Sequence, residues 1–249
     1  MKTILKLQNL RKIYHDISGE IEAIKDISLD IKEEEFLAIV GPSGCGKTTL
    51  LSMLSNLETK SGGSITKGKD NLKLAYMLQK DALFPWRNVL DNCLIGLEIN
   101  GTLNDEKKER VIELLKTYGL EEFIYKYPNS LSGGMRQRVA LIRTLAVDPD
   151  ILILDEPFSA LDYITRVALS DDIYSIIKKE KKTAILVTHN LTEAISLSDR
   201  IVVLSKRPAV IKSIYDIKLT NKSIPSKNRT CKEFSDYYDK LWRDLDVHI

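Results

Sequence analysis

The sequence predicts an α/β protein: a mainly parallel sheet covered on both faces, with a helical subdomain inserted between two of its strands. Three observations carry this. Short, continuous apolar runs recur along the chain, and runs of that kind are strands buried on both faces, the habit of parallel sheets. Helical patterns separate these runs. Between Lys80 and about Val147 the texture turns wholly helical.

The elements follow in order. Glu35 to Val40 reads as a buried strand because it is short, apolar and followed at once by Gly41. A helix is expected from about Thr48 to Leu57, ending in the turn Thr59-Lys60-Ser61-Gly62-Gly63. Leu72 to Gln79 is a second strand. The inserted helices span Val89 to Ile99, Glu106 to Tyr118 and Gly133 to Val147. Ile151–Leu154, Ala184–Val187 and Ile201–Leu204 are further strands. Beyond Lys206-Arg207-Pro208 come an alternating stretch to Leu219, a polar linker from Asn221 to Arg229, and an amphipathic helix from Phe234 to Leu245. The charge runs Glu33–Glu35 and Lys178–Lys182 read as solvated turn and helix-end charges.

Composition narrows the function. The 249 residues suit one large domain or a core with an insert. A net charge of +2, with no long basic stripe, argues against nucleic acid as a partner. No stretch approaches the ~18 apolar residues needed to cross a bilayer. Lys6 and Gln8 break the apolar start, which is therefore no signal peptide. Cys45, Cys93 and Cys231 are odd in number and widely spaced, which fits a reducing cytosol better than a disulfide framework or a zinc site. Contact with a membrane is thus expected only through a partner.

Gly41-Pro42-Ser43-Gly44-Cys45-Gly46-Lys47-Thr48 fits G-x-x-x-x-G-K-[ST] between a strand and a helix. Glycines allow the backbone N–H groups to turn inward around phosphate oxygens, and the helix start adds a favourable dipole. Lys47 supplies a mobile positive charge for the β- and γ-phosphates and Thr48 a hydroxyl for Mg²⁺. A chance match is expected in roughly 1% of chains this long, so the strand–loop–helix context makes a phosphate-binding loop the reading. Cys45, among inward-pointing amides, is either a reactive thiol that nucleotide protects or a buried, inert one.

Asp155 and Glu156 end the strand Ile151–Leu154. Ligands of parallel sheets sit at the carboxyl ends of strands, which sets both acids facing the loop. Asp155 suits the Mg²⁺ shell, and Glu156 is placed to polarise an attacking water. Leu131-Ser132-Gly133-Gly134-Met135-Arg136-Gln137-Arg138 puts Ser-Gly-Gly at a helix start, either an ordinary N-cap or a second anion site.

With these motifs in this order, the chain resembles an ATP-binding-cassette (ABC) ATPase over almost its whole length. The resemblance implies a P-loop NTPase core with an N-terminal antiparallel β subdomain. It implies an ATPase domain over 1–220, with the helical subdomain at about 80–147, followed by a linker and C-terminal helix over 221–249. The Walker A loop is Gly41 to Thr48, adjoined by Thr49. The signature is Leu131 to Gln137, with Met135 where glutamine is common, and the Walker B strand is Ile151 to Glu156. Ser159-Ala160-Leu161-Asp162 resembles the D-loop. Gln79 matches the Q-loop glutamine, implied to serve Mg²⁺ or water, and His189 the switch histidine, implied to reach the γ-phosphate. Tyr14 lies where the family stacks adenine, although a strand tyrosine is equally good core.

The resemblance further implies a dimer, of identical or paired ATPase subunits. ATP would lie between one chain's Gly41–Thr48 and the other's Ser132-Gly133-Gly134, with Asp162 beside it. A repair-type ATPase would need a long coiled coil between Thr49 and Ser130, and a tandem-cassette translation factor would need two cassettes; neither pattern is present. Transport is the reading that remains. The stretches Leu83–Asn92 and Ser198–Pro208 are similar to the nitrate/sulfonate/taurine group of importer ATPases, despite Ser55-Asn56-Leu57 in place of the usual Ala-Gly-Leu and a short Lys67–Asn71 turn. Permease subunits and a solute-binding protein are then the expected partners, at the cytoplasmic face of the cell membrane. The stretch from Gln79 to Trp86 is expected to carry the permease contact, with Trp86 either in that contact or in the core.

Overall fold

The computed structural model describes residues 2–17, 19–159 and 161–245; Ala160 of the D-loop stretch lies outside the described residues. Two long strands, β1 (Thr3–Asp16) and β2 (Gly19–Lys32), pair antiparallel, and β4 (Gly62–Lys67) adds to β1. This is the antiparallel N-terminal layer. The parallel strands are β3 (Phe36–Val40), β5 (Leu74–Met77), β6 (Ile151–Asp155), β7 (Thr183–Val187) and β8 (Arg200–Leu204), closed by antiparallel β9 (Ala209–Asp216). All join one sheet in the order β4-β1-β2-β9-β8-β3-β7-β6-β5.

Strand alternation explains the layers. Ile151, Ile153, Ile185 and Val187 turn to the face packed by β1, β2 and helix α1 (Lys47–Leu54). Leu152, Leu154, Ala184 and Leu186 turn to the opposite face, against α4 (Gly133–Ala146) and α5 (Tyr163–Lys179). Helices α2 (Val89–Ile99) and α3 (Asp105–Thr117) pack on α4 around a core of their own, which includes Val89, Leu94, Leu115, Val139 and Ile142. A fourth cluster joins α6 (Leu191–Leu197) to β8 and to the C-terminal helix α8 (Glu233–Asp244) through Leu241.

Several boundaries differ from expectation for local reasons. Helix α1 stops at Leu54, three residues early. Asn56 takes φ 55°, and its N–H and that of Leu57 return to Met53 O at 3.2 Å and Ser52 O at 2.9 Å, a Schellman stop with asparagine in the usual glycine place. The second strand narrows to Leu74–Met77, which leaves Gln79 on the loop beyond it. The polar stretch 221–229 is no free linker. It holds the one-turn helix α7 (Pro225–Asn228), and buried Asn228 donates to Ser196 O at 2.8 Å. Glu35 is not a solvated turn charge either: it is 3% exposed and pairs with Arg200 at 3.1 Å, and burial raises its carboxyl above the ordinary value.

Candidate functional site

Sheet order assembles the site. The strands β3, β7, β6 and β5 are consecutive neighbours, and their carboxyl ends carry the glycine loop, His189, Asp155-Glu156 and Gln79 in turn. A cleft of about 630 Å³ at this edge is lined by Ser43, Gly44, Gly46, Lys47, Thr48, Thr49, Glu156 and His189. A hollow of about 540 Å³ around Lys6, Asp30 and Arg200 contains none of the motif residues.

The loop turns into α1 at Gly46, whose φ of 114° only glycine adopts without strain. Pro42 accepts the N–H of Cys45 at 3.3 Å. Lys47, 9% exposed, donates through Nζ to Gly41 O at 2.8 Å and Pro42 O at 2.9 Å, so the loop carries its own cation at its centre. Cys45 is 1% exposed and belongs to the core beneath the loop, where its Sγ lies 3.9 Å from Lys47 Nζ. The reactive-thiol alternative is therefore not the one this structure bears out.

Asp155 is buried at the end of β6, and Tyr76 donates to its Oδ2 at 2.8 Å. Burial raises its carboxyl above the ordinary range, opposed by the Tyr76 hydrogen bond and by Lys47 and reinforced by Glu156. Glu156 adopts φ 46°, a left-handed backbone costing about 1–3 kcal/mol for a non-glycine residue. Its N–H is anchored on Val187 O at 2.8 Å. The turn sets its carboxylate between two side chains: His189 Nδ1 lies 3.1 Å from Oε1 as an ion-pair contact, and Gln79 Nε2 donates to Oε2 at 3.2 Å. Gln79 also donates to Ser159 Oγ at 3.3 Å. Gln79 and His189, far apart in the chain, thus converge on the carboxylate of Glu156.

Other motif residues stand apart from this cleft. Ser132 is the N-cap of α4, accepting from Met135 N–H at 3.3 Å, and Asp162 is the N-cap of α5, accepting from Thr165 N–H at 3.0 Å. The Thr165 hydrogen bonds hold the Asp162 carboxyl below its ordinary range. Neither they nor Gly133 and Gly134 line the cleft. At Gly134 a Cβ would come within 2.7 Å of Thr165 Cγ2, so this helix start approaches α5 more closely than a side chain allows. Tyr14, half-buried on β1, brings its hydroxyl 3.5 Å from Thr49 Oγ1, and Lys12 Nζ lies 4.7 Å from its ring centroid.

Some residues escaped the sequence reading. Asn92, fully buried in α2, accepts from Phe84 N–H at 2.8 Å and donates to the carbonyls of Phe84, Arg87 and Asn88, which fixes the loop bearing Trp86. Trp86 is 72% exposed and tilts against Phe84 at 5.3 Å, so its core reading does not hold. Arg136 binds Asp81 Oδ2 at 2.9 Å, Gln137 reaches Gln79 O at 3.5 Å, and Arg143 donates to the carbonyls of Asp81 and Ala82, so α4 grips the Gln79–Ala82 stretch at several points. Arg136 and Gln137 fall in the signature stretch, whose pattern gives no sign of this grip, while Asn92 and Arg143 are single polar residues inside amphipathic helix patterns and read as surface.

Could the residues present hold Mg²⁺? Among the described residues no three His, Cys, Asp or Glu side chains cluster as a metal site. A cation at the buried Asp155 carboxylate and the Thr48 hydroxyl would need phosphate oxygens and water to complete its shell. That is the coordination habit of Mg²⁺, and the donor set fits it.

Comparison with known proteins shows the family and the fold. The model of the ABC transporter family matches residues 24–159. An uncharacterized ABC transporter ATP-binding protein of Bacillus subtilis is 41% identical, covering 98% of this chain and 96% of that protein. A taurine import ATP-binding protein of Rhizobium johnstonii is 40% identical, covering 79% of this chain and 77% of its own. Among solved structures, the dimeric post-hydrolysis state of an ATP-binding cassette bound to ADP and Pi superposes with a TM-score of 0.73 at 31% identity, covering 86% of this chain and 99% of that one.

Proposed function

The chain belongs to the ABC transporter family, and from that membership we propose that it pairs on MgATP and drives import of a taurine- or sulfonate-like solute through a membrane permease. Binding and hydrolysing ATP come with the family and with the glycine loop at the end of β3. The taurine import relative supports the direction and class of cargo, and the dimeric cassette supports the pairing. No helix among the described residues is long and apolar enough to cross a membrane, which fits attachment at the cytoplasmic face through permease subunits, with a solute-binding protein completing the system. Support for a permease contact comes from exposed Trp86 on its pinned loop, with Tyr125 and Tyr127 also exposed on the helical part. In this reading residues 1–220 form the ATPase domain, with the helical part at about 80–147, and 221–249 form a C-terminal element.

The single observation that carries the hydrolytic reading is the Glu156 carboxylate, held between His189 and Gln79 at the mouth of the phosphate loop. Gly41–Thr49 cradle the phosphates, and Lys47 exchanges its two loop carbonyls for phosphate oxygens. Asp155, Thr48 and Gln79 would hold Mg²⁺, which would supply neutralisation of charge on the phosphates. Glu156 accepts a proton from water as the water oxygen bonds to the γ-phosphorus. The bond from that phosphorus to the bridging oxygen breaks, leaving ADP and inorganic phosphate. His189 orients Glu156 and contacts the γ-phosphate. Tyr14 takes the adenine, and Ser132, Gly133, Gly134 and Asp162 serve the nucleotide of the opposite subunit.

Glu156→Gln tests this assignment, because glutamine keeps the shape but cannot take the proton. Hydrolysis is expected to fall by about 10²–10⁴-fold, or roughly 3–5 kcal/mol of barrier. MgATP should still bind and hold a dimer on size-exclusion chromatography. A variant that stays monomeric with ATP and releases phosphate at the wild-type rate sinks the assignment and moves the catalytic role to His189.

A further inference from the structure

We propose that Arg166 and Glu193 are positioning residues for hydrolysis, tying the Ser159–Asp162 loop to the loop that carries His189. The proposal rests on the hydrolytic reading above, and it adds two residues that belong to none of the motifs.

Glu193 lies in the first turn of α6 and is 4% exposed. Its Oε2 accepts the Thr188 hydroxyl at 2.6 Å. That hydroxyl in turn accepts the Asn190 N–H at 3.0 Å, so the two residues flanking His189 are fastened to one another and both to Glu193. Arg166, in the first turn of α5, donates through Nη2 to Leu161 O at 2.9 Å, inside the other loop. Its Nε stands 3.8 Å from Glu193 Oε1, an ion pair too long to be a hydrogen bond, and that buried N–H has no hydrogen-bond partner. One carboxylate and one guanidinium therefore span the gap between the two loops.

The arrangement is a poor way to gain stability. Burying the Glu193 charge beside a partly exposed guanidinium costs about as much as their attraction returns, and an unpaired buried N–H adds to the cost. The surroundings show the strain of burial: desolvation raises the Glu193 carboxyl, while Thr188, Arg166, His189 and Arg229 oppose it. A shift of about 1 Å would bring Arg166 Nε to the 2.7–2.9 Å of a charge-assisted bond with Glu193. Movement of the Leu161 carbonyl toward the partner's nucleotide would then reach Thr188, and with it the imidazole beside Glu156, through two side chains. A pair that merely fastened α5 to α6 would not need its guanidinium on a loop carbonyl or its carboxylate on Thr188.

The test uses the full chain. Glu193→Gln keeps an acceptor for Thr188 but removes the charge pair. Arg166→Met keeps the aliphatic stem and loses the donors. Steady-state phosphate release is measured alongside equilibrium binding of a fluorescent ATP analogue and the thermal midpoint. Each variant is expected to lose about tenfold in kcat, in the range of coupling within one network, with KM and nucleotide affinity unchanged. The double variant should be no slower than the slower single one. Should either single substitution unfold the protein, Arg166→Lys and Glu193→Asp replace it, with partial recovery of kcat expected. Wild-type kcat with a lowered thermal midpoint overturns the proposal, as does a double variant whose losses multiply. His189→Ala in the same assay separates the two levels. If it abolishes turnover while the pair variants turn over normally, only the pair's role is lost; if it turns over normally, the parent reading fails.

Discussion

At the scale of single residues, cysteines report most directly on the loop. Cys45 Sγ sits so tightly under the glycine loop that a Cβ at Gly41 would come within 2.9 Å of it. Cys93 is fully enclosed, and burial pushes its thiol up to about 12. Cys231 alone of the three is only half-buried. A thiol titration of the native protein is expected to show one promptly reacting group, at Cys231, and three in denaturant, with no change on adding MgATP. Prompt loss of Cys45 would mean that the loop opens to solvent. What was legible at this scale followed from contiguity. Lys47, Thr48, Asp155 and Glu156 stand beside glycines or at a strand end, where their chemistry shows. Asn92 binds carbonyls of the loop just before its helix, and Arg166 and Glu193 meet only through packing, so no motif marks them. Glu35 was misread for the same reason, since Arg200, its counter-charge, lies far along the chain.

At the scale of elements, Asp199 joins three of them just before β8. It accepts the Phe36 N–H at the start of β3 at 2.9 Å, Lys178 at the end of α5 at 2.9 Å, and Lys222 of the C-terminal stretch at 2.7 Å. Burial alone would raise its carboxyl; Lys222, the Phe36 N–H and Lys178 outweigh burial and hold it below the ordinary value. A depressed carboxyl contributes stability above its unfolded value, near 3.9, and loses it as pH falls through the folded one. Asp199→Asn should therefore cost about 2 kcal/mol at pH 7 in chemical denaturation, less than the ~3–5 of a fully buried pair. The gap from wild type should narrow as pH falls below about 3.9 and close only below the depressed folded value. A gap independent of pH would assign the cost to packing. Strands and inserted helices were readable because their apolar periods are strong. The 221–229 stretch was not, because its order comes from Asn228 and Lys222 bonding to α6 and Asp199 rather than from any apolar pattern.

At the scale of the whole molecule, the one-chain structure leaves Ser132, Gly133 and Gly134 outside the cleft that holds Lys47 and Glu156. In the proposed pairing each composite site draws on both chains. Gly133→Asp should therefore leave nucleotide binding to the monomer intact while hydrolysis collapses. Mixing it with Lys47→Ala should leave at most one competent site in each mixed dimer, and phosphate release from the mixture should exceed that of either variant alone. Undiminished hydrolysis by Gly133→Asp on its own would rule out the pairing. The hold of α4 on the loop after β5 then acquires a meaning in time. The helix is a rod of roughly 20 Å, begun by Ser132 and gripping Gln79–Ala82 through Arg136, Gln137 and Arg143. In the proposed pairing the first turn of this helix would serve the partner's nucleotide while Gln137, one turn further on, holds the loop of Gln79 beside its own, so a hydrolysis event at one site would be felt at the other.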